Sequence, residues 1–164
     1  MKLKAILLLS LALILNCTSF AQNYDWFERI KTIEILKSNR QDVNRIFGQP
    51  KNPTYQYNNI YQLKEGKLDV EYSVGLCNSE RKLGWNVPEF TVTRFFFTPN
   101  KPISPQKVGI SLVGFQKHEI YDVTGAFLYS NEKKGINLSL KANGKIEIIE
   151  FYPQKKYDNL YCKE

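Results

Sequence analysis

The chain is poor in the residues that most metal and acid–base chemistry uses. Among 164 residues there is one histidine, one methionine and three cysteines. A histidine-rich metal site or a two-histidine zinc motif cannot be assembled from that set. There is no Gly-rich phosphate loop, no G-x-S-x-G elbow and no EF-hand loop. No C-x-x-C pair occurs, so Cys77, Cys162 and His118 make a poor zinc set. No Arg-rich segment and no basic helical stripe is visible, and the only lysine doublets are Lys133-Lys134 and Lys155-Lys156. The net charge of +7 is therefore read as a scattered lysine bias rather than a nucleic-acid footprint. What is present is 43% apolar, 13% aromatic and 24% charged, the make-up of one folded globular unit.

The amino terminus reads as an export signal. Lys2 and Lys4 form a short positive region, and Ala5 to Leu15 is apolar except for Ser10. That run is about half of the ~20 residues a membrane-spanning helix needs. Ser19-Phe20-Ala21 then places small residues where a signal peptidase reads them, so cleavage is expected between Ala21 and Gln22. Cys17 offers an alternative, a lipidated first residue, although Asn16 before it fits a lipoprotein signal less well. Either route puts the mature chain in the periplasm or outside the cell, or on the outer membrane through Cys17. Removing residues 1–21 takes two lysines and no acid, so +7 becomes +5. The expected organisation is a signal peptide at 1–21 and a single domain at 22–164, with no later run able to span a membrane.

Along the mature chain, Ile33 and Ile35 alternate with polar residues and suggest a short strand, with a helix starting near Asp25 as the alternative. Ser38 reads as a helix N-cap with Gln41 completing a capping box. The helix Asn39 to Phe47 would place Val43, Ile46 and Phe47 on one face, with Gly48 and Pro50 ending it. From there the period changes to two. Strands are expected at Thr54 to Tyr57, Ile60 to Leu63, Leu68 to Val74 and Thr91 to Thr98, separated by an ordered loop over 75–90. Pro99, Pro102 and Pro105 break the pattern. Ala126 to Ser130, Ile136 to Leu140 and Lys145 to Tyr152 then read as a C-terminal meander, with Asn143-Gly144 as its hairpin turn. The fold class is α+β: one or two short helices on a mostly antiparallel sheet.

Few residues carry a chemical signal. His118 would need a nucleophile and an orienting carboxylate to serve as a base. Asp69 and Glu71 share a strand face, as a hydrolytic carboxylate pair would. The solvated side of any half-buried strand has the same spacing, and Glu147 between Ile146 and Ile148 is equally ordinary. Trp85-Asn86, inside Gly84-Trp85-Asn86-Val87-Pro88, is the most distinctive loop: Trp85 could stack on a sugar or a partner side chain, or simply cover the end of the sheet. Once Cys17 leaves with the signal, Cys77 and Cys162 remain as an even pair, which in an exported chain reads as a disulfide. Two free thiols or a shared metal are the alternatives.

The order Ser38-x-Arg40-x-Asp42-Val43-x-Arg45-x-Phe47-Gly48-x-Pro50, then Val70-x-Tyr72, Cys77, Gly84-Trp85-Asn86-Val87-Pro88, Tyr152-Pro153 and Cys162 resembles a family of exported bacterial proteins. The resemblance implies location and architecture rather than an activity. The capped helix ending in Gly48-x-Pro50 also resembles the helix of small outer-membrane-assembly lipoproteins (SmpA/OmlA) and of β-lactamase-inhibitor-like modules.

Three functions follow as expectations. The first is a non-enzymatic module, without cofactor, that binds or scaffolds another envelope or extracellular protein. The second is a hydrolase using Asp69 and Glu71. The third is carbohydrate or anionic-surface binding through Trp85 and nearby lysines. Partner and oligomeric state are not written in these residues.

Overall fold

The computed structural model describes residues 25–50, 52–120 and 125–163. The signal segment, Cys17 and the Ala21–Gln22 cleavage site lie outside the described residues.

Alternating apolar residues build one eight-stranded sheet. Its strands are β1 (Asn52–Tyr55), β2 (Asn58–Gln62), β3 (Gly66–Tyr72), β4 (Val92–Pro99), β5 (Gln116–Glu119), β6 (Phe127–Asn131), β7 (Ile136–Leu140) and β8 (Ile146–Phe151). The spatial order is β1-β2-β3-β4-β8-β7-β6-β5, and every pairing is antiparallel. The α+β reading holds, with sheet predominating. The meander of β6, β7 and β8 lies where the alternation placed it. Among the described residues no helix is long and apolar enough to cross a membrane.

Two short helices cover one face. Helix α1 (Asp25–Lys31) buries Trp26, Phe27 and Ile30. The indole of Trp26 stacks on Phe97 of β4, with ring centroids 4.3 Å apart. The strand expected around Ile33 and Ile35 does not form: 25–31 is helical, and the chain then turns through Leu36, whose φ is +63°. Helix α2 (Arg40–Phe47) buries Val43, and Gly48 ends it with φ +83°, a value that suits glycine. Its N-cap is Asn39, one residue later than expected. The Asn39 side chain accepts from the backbone N–H groups of Gln41 and Asp42, and the Asp42 carboxylate accepts from the Asn39 N–H at 3.0 Å. Ser38 is occupied elsewhere, since its hydroxyl accepts from the Glu34 N–H at 2.9 Å. Backbone bonds from Arg40 to Phe90 and from Val92 to Ser38 fasten this end of α2 to the start of β4.

The core lies between helices and sheet. Leu68, Val70, Phe95, Phe97, Leu138, Ile146 and Ile149 have no exposed surface. Polar links join the layers: the Tyr61 hydroxyl donates to Asn44 of α2 at 2.7 Å and lies 3.0 Å from the Tyr72 hydroxyl. Burial, then the hydrogen bond to Tyr61, holds the Tyr72 hydroxyl far above its ordinary 10.0. In the unfolded chain Tyr72 ionises near 10.0, while in the fold it stays protonated. Its contribution to stability is thus intact below about pH 10 and is lost as pH rises beyond it, by up to ~1.4 kcal/mol per pH unit. Urea titrations between pH 8 and 11 are expected to show this decline, and Tyr72→Phe should flatten it. An unchanged slope in the variant would refute the assignment.

Candidate functional site

Among the described residues no α-helix lies over the sheet's second face, and only the short 3-10 turn Lys155–Leu160 borders it. Because side chains alternate, the residues between the core positions point to this side. Cross-strand pairing then sets Asp69 beside Phe96, Phe96 beside Glu150, Glu150 beside Asn137, and Asn137 beside Ser130.

Across this face runs a polar chain. Arg94 donates to both oxygens of Glu71, from Nε and from Nη2, each at 3.0 Å. Its Nη1 lies 3.5 Å from Glu150. Asn137 Nδ2 donates to the other oxygen of Glu150 at 2.8 Å. The Arg94 guanidinium also sits over the Phe96 ring, 4.9 Å from its centroid. Its hydrogen bond to Glu71, above all, raises the Arg94 pKa. Asp69 Oδ1 and Asn137 Oδ1 are buried without a hydrogen-bond partner among the described residues.

Asp69 and Glu71 do share the face, as the strand spacing requires. Glu71, however, is committed to Arg94 through both oxygens, which opposes its use as a free nucleophile or base. His118 on β5 has its Nε2 3.0 Å from the Ser130 hydroxyl. No third group among the described residues is hydrogen-bonded to orient the imidazole, so the pair lacks the orienting partner that activated nucleophiles have.

At one end of this face the long loop of 73–91 meets the C-terminal tail. Cys77 and Cys162 form a disulfide, with Cα atoms 5.9 Å apart. The pairing removes both the free-thiol and the metal-ligand alternatives for these cysteines. Among the described residues no three His, Cys, Asp or Glu side chains converge as a metal site. Next to the disulfide the backbone bonds continue: Asn86 N–H to Leu160 O at 2.7 Å, and Cys162 N–H to Gly84 O at 2.8 Å. The Asn86 side chain accepts from the Cys77 N–H at 2.9 Å. Of the two candidate surface residues, then, Asn86 holds the loop and Trp85 shapes the surface. Trp85 is partly exposed, and its ring meets Tyr161 edge to face at 5.1 Å and 82°.

Trp85 and Tyr161 form one wall of a hollow of about 490 Å³, whose other lining includes Tyr152, Arg94, Glu150 and Asp158. No lysine lines it. The hollow shares Asn137, Tyr152, Pro153 and Asp158 with a second one of about 640 Å³ that reaches His118, Ser130, Glu132 and Lys155. Together they make a groove across the open face. The Tyr152 hydroxyl between them is shifted upward by burial and by the charges of Glu132 and Glu150. Sequence reasoning missed Arg94, Asn137, Glu150, Tyr152 and Tyr161. The disulfide was the one available signal, since joining Cys77 to Cys162 draws Trp85 toward Tyr161.

No family model matches the chain, and no curated protein matches it. Among solved structures, it is similar to a DUF4309 family protein (YjgB) from Bacillus subtilis subsp. subtilis str. 168. The identity is 12%, the match covers 74% of this chain and 82% of that one, and the TM-score is 0.48.

Proposed function

We propose that this protein is an exported, non-enzymatic binding module of the cell envelope or extracellular space, and that it binds through the groove on the open sheet face. The observation that carries this reading is the polar chain Glu71–Arg94–Glu150–Asn137. Its charged groups are already tied to one another in fixed orientations, an arrangement suited to recognition. A carboxylate held through both oxygens by a guanidinium is poorly placed to take up a proton or attack a substrate. A disulfide between the site loop and the tail agrees with an oxidising compartment.

A photoreactive side chain placed at Lys155, inside the groove, is expected to give a discrete adduct in the native envelope or extracellular fraction. The same group at Asn143, in the exposed β7–β8 turn, should give none. Equal labelling from both positions would overturn the groove as the binding surface. Chemical conversion of the captured ligand, lost in His118→Ala, would overturn the non-enzymatic reading.

A further inference from the structure

We propose that the hollow beside Trp85 is a saccharide subsite and that the groove takes an uncharged glycan chain. This rests on the groove being the binding surface. A pyranose ring offers an apolar C–H face and a rim of hydroxyls, and the hollow offers a matching pair of walls. On one side stand the rings of Trp85 and Tyr161, at 82° to each other. Backbone bonds on both sides of Trp85 and the nearby disulfide hold them in place. Little ordering cost is left for binding to meet. Facing them are the planar groups of Arg94 and Glu150, fixed by their mutual contacts, and the carboxylate of Asp158. Planar donors and acceptors of this kind pair with adjacent hydroxyls.

Charge decides against an anionic ligand. Glu71, Glu150 and Asp158 line the Trp85 hollow with Arg94 as the only cation among the described residues, although the whole chain carries +7. The lysines expected near Trp85 are not in that hollow. Geometry decides against an extended peptide. Peptides that add to sheets run along an edge strand and pair with its backbone, whereas this groove starts at His118 on the edge strand β5 and runs across β6, β7, β8 and β4, with side chains for walls. The second hollow, sharing four lining residues with the first, gives room for further sugar units.

The test uses the oxidised mature protein in calorimetric and fluorescence titrations with cellohexaose, mannohexaose and chitohexaose, and with a heparin hexasaccharide as the anionic comparison. At least one uncharged hexasaccharide is expected to bind and shift the tryptophan emission. Trp26 is only 7% exposed, so Trp85 supplies the change. Trp85→Ala should weaken binding about tenfold or more, with near-ultraviolet dichroism and the disulfide retained. If that variant fails to fold, Asp158→Ala, which removes a rim carboxylate without a hydrogen-bond or ion-pair partner among the described residues, should weaken binding several-fold instead. No binding of any uncharged sugar at ~10 mM, with groove-specific labelling from Lys155 intact, overturns the saccharide assignment and leaves the binding module standing. Loss of that labelling as well overturns both. Preferential binding of heparin overturns the charge argument.

Discussion

Replacing Phe97 with alanine is expected to cost about 3–5 kcal/mol, the range for emptying a fully buried aromatic site. Phe97 has no exposed surface, and its ring is stacked on Trp26, so the substitution opens a cavity between α1 and β4. Collapse to fill it is blocked on the neighbouring strand. At Gly66 an added Cβ would already lie 2.7 Å from the Phe97 ring and 2.3 Å from the Thr98 carbonyl oxygen, which shows how closely β3 and β4 meet there. Urea denaturation should show a lower midpoint with an unchanged slope. Phe96→Ala, one residue away on the open face, should cost much less. A loss below about 1 kcal/mol for Phe97→Ala would mean that α1 does not pack there. Since a domain of this kind is stable by only ~5–15 kcal/mol, the variant sits near the limit of folding.

Replacing Cys77 and Cys162 together with serine is the second large effect. The bridge spans 85 residues. Chain entropy alone assigns roughly 4.5 kcal/mol to closing such a loop, and measured values run nearer 2–4. A fall of about that size in unfolding free energy is expected, with new proteolytic cleavage within 78–83, where every residue but Arg81 is exposed. Equal stability of the oxidised and serine forms would refute a bridge that constrains the unfolded chain.

The sequence revealed those elements whose residues alternate between core and water. Leu68, Val70 and Tyr72 are buried in β3 with Asp69 and Glu71 between them, so period and structure coincide. Strand β5 escaped notice because Gln116, Lys117, His118 and Glu119 are all exposed, and a strand without a buried face has no hydrophobic period. Helix α1 was obscured by the alternation of Ile33 and Ile35 just after it. In the fold Ile33 enters the core from a turn, and its spacing from Ile35 is incidental. The N-cap shifted by one because Ser38 and Asn39 are both good caps, and a bond from Glu34 to Ser38 decides between them. The site was the least legible part. Arg94 meets Glu150 only because β8 lies beside β4, and no local pattern shows that two strands so far apart in the chain are neighbours.

That same adjacency bears on how the chain folds. Among the described residues, six of the seven ladders join strands that follow one another in sequence, and only β4 with β8 does not. Two four-stranded meanders, β1 to β4 and β5 to β8, can therefore each assemble from sequence neighbours, by short closures except for the long loop of 73–91 between β3 and β4, and short closures are entropically cheap and fast. The costly long-range search is confined to one seam, where Phe95, Phe96 and Phe97 find Phe151, Glu150 and Ile149. The bridge joins the loop before β4 to the tail after β8, so it ties together the two chain segments that must meet there. Oxidation of the two thiols thus shortens the search at the one slow junction of the topology. The groove, whose floor includes Arg94 and Glu150 from the two sides of that seam, is complete only once the halves have joined.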